Sequence, residues 1–233
     1  MTPAESREQR PLRDVAAEIS AASAITLEYE CAFDWVAFCP MRSAEAGALT
    51  RYFGKRRDEV LPEAGLGDAV KTRGIEGRQR STLPWVEAVQ NAALHVFDDT
   101  RSPEAVCDLL RRRLYTLRDG EISHSELLVK NCVSKTVAEY SMKTLTVAAL
   151  RRAKLEGAGL SPGQSVQYVV VDADGRGVDR VRLAFEDAAH YDTAWYETSA
   201  VRAVESVLSP VGWRRDDIRR YLDDVTTSTL ASY

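Results

Sequence analysis

The chain has 233 residues, 31 Lys and Arg against 35 Asp and Glu, a formal net charge of −4, and 45% hydrophobic residues. That length and apolar content suit one or two domains with a buried core, and they argue against a disordered chain. No apolar run approaches the length of a membrane span, and the first twenty residues mix both charges without the apolar stretch of a secretory signal.

Taken in chain order, residues 8–22 place Leu12, Val15, Ala16 and Ile19 at helical intervals. Residues 25–30 (ITLEYE) alternate and residues 33–38 (FDWVAF) are aromatic and β-branched, so two adjacent strands are expected. Residues 54–69 turn to Gly, Pro and charge and read as a loop. Residues 82–97 form a helix with Thr and Pro at its start and Val86, Val89, Ala93 and Val96 on one face. Ser102-Pro103-Glu104 opens a second helix that runs to about Leu117 and stops at Asp119-Gly120.

Residues 126–130 then read as a short strand and 137–155 as a helix ended by Gly157-Ala158-Gly159. Residues 166–171 (VQYVVV) read as a buried strand, joined through the DADGRG turn to 181–185 in a hairpin. Residues 195–208 form an amphipathic helix and 214–222 a last short one. The order predicts an α+β fold of two lobes meeting near residue 98.

The charge is unevenly placed. Residues 51–57 hold four cations and no acid, residues 71–80 balance to +3, and residues 130–154 to +5. Residues 172–192 go the other way, with three Arg against six acids. Tyr52 and Tyr140 lie among the cations, as a nucleic-acid groove requires for packing on sugars or bases.

Other chemistries have thin support. Asp172-x-Asp174-Gly-x-Gly-x-Asp179 lacks the third ligand and the bidentate Glu of an EF-hand and reads as a turn. His95, His124 and His190 have no metal spacing, and Cys107 and Cys132 carry no Cys-His nucleophile signature. The four cysteines form no C-x-x-C pair and read as reduced thiols of a cytoplasmic protein. Trp35, Trp85, Trp195 and Trp213 read as core anchors. A self-contained small-molecule enzyme has no basis in these residues.

Four stretches in register resemble one family. LLVKNCVSKTVAEYSMKTLTVAALRRAKLEGAGLSPGQSVQYVVV (127–171) looks like the thumb of the family B DNA polymerases, and YDTAWYETSAVRAVESVLSPVGW (191–213) resembles its late thumb helix. ITLEYECAFDWVAFCP (25–40) is similar to the palm strands after the catalytic Asp-Thr-Asp hairpin, and KTRGIEGRQRSTLPWVEAVQ (71–90) to the Thr-Arg-Gly segment with its following helix. The match covers roughly residues 10–222. The family's metal-binding motifs, Asp-x-Ser-Leu-Tyr-Pro and Asp-Thr-Asp, do not occur here, nor does its Lys-x-x-x-Asn-x-x-Tyr nucleotide helix. Its Lys-Lys-Arg-Tyr signature survives only as Leu49-Thr50-Arg51-Tyr52.

The resemblance therefore implies a C-terminal palm portion at 1–97 and a thumb at 98–233. It implies that the chain holds primer-template duplex and completes a polymerase whose catalytic carboxylates lie on a larger chain. No cofactor is expected on this chain alone; Mg²⁺ would come with the partner. Arg51, Tyr52 and Lys55 would face the primer end. Lys71, Arg73, Arg78 and Arg80 would line the palm floor, with Gly74 allowing a phosphate to approach the backbone. Lys130, Ser134, Lys135, Tyr140 and Lys143 would grip the duplex from the thumb. Residues 1–24 and the strands at 25–38 should offer an apolar face to the larger chain.

The N-terminus MTPAESREQR favours a separate subunit over a truncated product. The alternative is a non-catalytic duplex-binding or scaffold protein derived from a polymerase. Thr227-x-x-Leu230-x-x-Tyr233 keeps the hydrophobic spacing of a sliding-clamp-binding tail without its Gln.

Overall fold

The computed structural model describes residues 12–23, 25–28, 30–41, 46–57, 70–79 and 81–230, and the side chains of these except 12, 13 and 225–230. Among these residues it contains six α-helices and two antiparallel three-stranded sheets, an α+β architecture. Helix α1 (Leu12–Ala22) precedes the first sheet, formed by β1 (Phe33–Pro40), β2 (Gly47–Arg56) and β3 (Val70–Arg73) in that order. Helices α2 (Pro84–Thr100) and α3 (Pro103–Arg118) follow. The second sheet is β4 (Val129–Cys132), β5 (Ser165–Val170) and β6 (Val181–Leu183), with α4 (Leu145–Leu155) between β4 and β5. Helices α5 (Thr193–Leu208) and α6 (Arg215–Leu230) close the chain.

Period-2 alternation in β1 sends Trp35, Ala37 and Cys39 inward and leaves Val36 and Phe38 exposed. The inner face meets α2 through an aromatic cluster: Trp35, Phe53 and Phe97 pack edge-to-face with centroids 5.9–6.2 Å apart. Asp98 fixes the same junction, accepting from Trp35 Nε1 at 2.9 Å and from Lys55 Nζ at 2.8 Å. Helix α5 lies against α2, α3 and α6, and one connected buried cluster runs from Phe53 through Phe97 and Leu110 to Val170, Tyr196 and Val204.

Gln90, fully buried on α2, ties three elements together. Its Oε1 accepts from Gly77 N, and its Nε2 donates to Ala203 O on α5 and to the Glu76 carboxylate. All four cysteines are free, and no helix among the described residues is long and apolar enough to cross a membrane.

Several expectations are corrected. Residues 25–28 and 30 form no ladder: the Leu27 amide bonds to Ser20 Oγ at 2.7 Å, and Ile25 and Leu27 stay exposed, so the alternation has no face to bury. Residues 54–56 complete β2 instead of opening a loop, and 58–69 lie outside the described residues. Strand β3, Val70–Arg73, was not anticipated. The helix expected over 137–155 is interrupted: Thr136 and Glu139 form a capping box that closes a single 3₁₀ turn, Tyr140 is extended, and Thr144 caps α4 anew by accepting from Val147 N.

The short strand expected at 126–130 lies at 129–132, because Glu126 and Leu127 are held in a turn by Ser123 and His124. The hairpin's second strand stops at Leu183, and the last helix extends to Leu230. Residues 8–11 and 231–233 lie outside the described residues, as do the side chains of Thr227 and Leu230 in the clamp-like tail.

Candidate nucleic-acid interface

The first basic group belongs to the β1–β2–β3 sheet and the 3₁₀ turn at Glu76–Arg78 after it. Arg51 on β2 is engaged within the protein, donating to Ser206 Oγ at 2.9 Å, to Gly74 O at 3.3 Å and to the Glu76 carboxylate at 3.5 Å. Arg202 also approaches Glu76, at 3.7 Å, so two guanidiniums flank one buried carboxylate. Lys55 is bound to Asp98. Burial works to raise the Asp98 pKa, but the bonds from Lys55 and Trp35 outweigh it and hold the carboxyl below its ordinary value.

Lys71 is paired with Glu30, its side chain mostly buried. Arg73 and Arg78 are exposed, and Arg80 lies outside the described residues. Lys71 and Arg78 line a polar cavity of about 380 Å³ together with Glu30, Arg56, Glu87 and Gln90. Tyr52 packs between Phe33 and Phe38 on the outer face of the sheet, with ring centroids 6.2 and 5.5 Å away, and stands opposite Arg73.

Gly74 has φ +67°, the left-handed region, and a Cβ there would collide with the Thr50 carbonyl oxygen on β2. The close approach that glycine permits here is to the chain's own strand. Gly74→Ala is expected to lose about 1–2 kcal/mol from the backbone conformation alone, with the clash added to it. Urea unfolding measures this, and a loss below about 0.5 kcal/mol would count against that role.

The second group surrounds β4 and the 3₁₀ turn at Val137–Glu139. Lys130, Lys135 and Lys143 are exposed. Ser134 and Tyr140 bond each other: the Tyr140 hydroxyl accepts from Ser134 N at 3.2 Å and lies 3.2 Å from Ser134 Oγ. The Ser134 hydroxyl, then its amide, pull the Tyr140 pKa down. This pair folds the loop back on itself and leaves Lys135 beside it at the surface.

A third group emerges only in the structure. The N-terminal end of α4 and the turn between β5 and β6 enclose a cavity of about 430 Å³ whose lining includes Lys143, Arg151, Arg176 and Arg180 and no acid. Arg151, Arg176 and Arg180 were not anticipated. Arg180 is held by backbone carbonyls: its Nε and NH2 donate to Ala173 O, and NH1 donates to Lys143 O at 3.1 Å.

The alternatives fare as follows. Burial pushes the Cys107 thiol up to about 12, which opposes a nucleophilic role at neutral pH. Trp85 is buried, and Trp35, Trp195 and Trp213 pack on the core. Among the described residues no three His, Cys, Asp or Glu side chains come together in a way that could hold a metal ion.

No protein-family model matches the chain. It is 25% identical over 169 residues to a DNA polymerase of Thermococcus sp. (strain 9oN-7), and 26% identical over 169 residues to a DNA polymerase of Thermococcus gorgonarius. These matches cover 71% of this chain and 21% and 22% of those polymerases, so the chain spans about a fifth of their length. In fold it resembles the family B DNA polymerase of the hyperthermophilic archaeon Pyrobaculum calidifontis, with a TM-score of 0.57 and 17% identity over 86% of this chain and 24% of that one. The chain thus has a polymerase-like α+β fold. In sequence and fold together, it is similar to a portion of the family B DNA polymerases.

Proposed function

We propose that this chain is a palm-and-thumb portion of a family B DNA polymerase, palm at 1–97 and thumb at 98–233. In this reading it binds primer-template duplex in the cytoplasm and completes the enzyme with a larger chain. That chain brings the exonuclease and finger regions, the catalytic carboxylates and their Mg²⁺. The exposed cations Arg73, Arg78, Lys130, Lys135 and Lys143 meet backbone phosphates, which requires no sequence readout. Arg51 and Lys55 act one step back, holding the sheet against α5 and α2 through Ser206 and Asp98.

The observation that carries the reading is the state of the first sheet. Its inner face is packed, while its outer face exposes Val36 and Phe38 beside Tyr52. Among the described residues β1 pairs only with β2, so its other edge offers unpaired amides and carbonyls. A sheet with an open edge and an apolar outer face is built to be extended.

Mixing this chain with the larger chain tests the reading. Extension of a primed template should rise well above that of the larger chain alone, and Phe38→Asp on the outer face should lower the gain at least tenfold while circular dichroism stays unchanged. No gain in extension would overturn the split-enzyme reading. Salt-sensitive duplex binding without that gain would instead define a non-catalytic duplex-binding scaffold.

A further inference from the structure

The cavity between α4 and the β5–β6 turn concentrates positive charge. Its lining carries four cationic side chains, Lys143, Arg151, Arg176 and Arg180, and no carboxylate. Two acids of the neighbouring hairpin are occupied elsewhere: Asp179 lies 3.5 Å from Arg152 and 3.8 Å from Arg182, and Asp192 caps α5 and accepts from Ala173 N; the Asp172 carboxylate lies against Gly175 at the rim of the cavity. Arg180 is positioned before any ligand arrives, because three of its bonds go to carbonyls, two to Ala173 in the turn and one to Lys143 just before the α4 cap. Those bonds fix the guanidinium plane without cancelling its charge. Gly175 and Gly177 of the turn and Thr144, the cap of α4, line the same space.

Holding four like charges around one cavity is unfavourable unless an anion fills it. The cavity is also too large for a single small ion. We infer that this pocket is a phosphate site that seats two adjacent phosphate groups, supplied by a free oligophosphate or by consecutive phosphates of a nucleic-acid strand. Arg180 holds one group, and Lys143, Arg151 and Arg176 pair with both. The inference stands on the pocket and does not require the polymerase reading.

The test uses the full chain, with sodium pyrophosphate as the probe at constant ionic strength, followed by titration calorimetry. One saturable site is expected. The double variant Arg151→Ala/Arg176→Ala, both exposed side chains, should weaken it at least tenfold, while Arg73→Ala/Arg78→Ala should leave it unchanged. Arg180 is kept because it also ties the turn to α4.

A fluorescent primer-template duplex separates the two sources. If strand phosphates occupy the site, pyrophosphate competes with the duplex and the double variant flattens the log–log salt dependence of duplex binding by about 2. If a free oligophosphate is the ligand, duplex affinity is the same in the double variant. Absence of saturable pyrophosphate binding, or equal binding by the double variant, overturns the inference while leaving duplex binding through other cations intact. Pyrophosphate binding without any duplex binding would sink the polymerase reading and leave this one standing.

Discussion

Truncation of Tyr196 to alanine is expected to destabilise the protein by about 3–5 kcal/mol from the lost aromatic volume alone. That is a large share of the roughly 5–15 kcal/mol that holds a typical domain folded. Tyr196 is fully buried at the centre of the fold. Its ring meets Trp195 and Tyr191 edge-on, with centroids 4.9 and 5.8 Å away, and its hydroxyl joins three elements. The hydroxyl accepts from Val170 N on β5 and donates to Leu127 O before β4, both at 2.9 Å, from its position on α5. Burial pushes its pKa upward, so it remains a protonated donor throughout the working pH range.

Tyr196→Phe separates the two contributions. The ring stays, while a buried amide and a buried carbonyl each lose a partner, at a cost of about 1–3 kcal/mol. Urea unfolding of both variants checks this. A Tyr196→Phe protein as stable as the parent would mean that the hydroxyl does not tie the second sheet to α5.

The helices were legible because their information is local. The start signals and apolar spacing of 82–97 and 102–117 correspond to α2 and α3 with ends shifted by a few residues. Strand β3 was not legible: it is four residues long, and only its pairing with β2 makes it a strand. The break in 137–155 was readable in principle from Thr136-x-x-Glu139, a capping box, and from Thr144 as a second cap.

The basic sites were harder, because charge compensation acts across the chain. Arg51 and Lys55 read as open cations in a run of four, yet their partners Glu76 and Asp98 lie 25 and 43 residues further on. The reverse error hid Arg176 and Arg180. They sit in a stretch with three Arg against six acids, and a running sum averages the two sides of a hairpin that folding separates. Asp179 goes to Arg152 on one side, while Arg176 and Arg180 line the cavity on the other.

The ion pair between Arg152 and Glu186 should give the protein a measurable acid limb. Arg152 on α4 donates through Nε and NH2 to the two carboxylate oxygens of Glu186, and the Leu183 amide donates to Oε2 at 2.7 Å. Both side chains are at most 15% exposed, so the pair is screened little by solvent. The bidentate bond from Arg152 is the main cause that holds the Glu186 pKa below its ordinary 4.5; burial opposes it, and the Leu183 amide adds to it.

A carboxyl whose pKa is lower folded than unfolded binds fewer protons in the native state. Its contribution is therefore complete above about pH 4.5 and is lost as pH falls through the folded value. Glu186→Gln keeps the shape but leaves Arg152 without its full counter-charge in a nearly closed site, and should cost about 3 kcal/mol at pH 7. The deficit should shrink as the pH is lowered below about 4, because the parent then carries a neutral carboxylic acid where the variant carries an amide. Replacing both partners, Arg152→Met with Glu186→Leu, should recover most of the loss, since no unpaired charge remains. Urea unfolding across this pH range decides the matter: a Glu186→Gln deficit of the same size at pH 7 and in acid would show that packing, and not the charge pair, joins α4 to the end of β6.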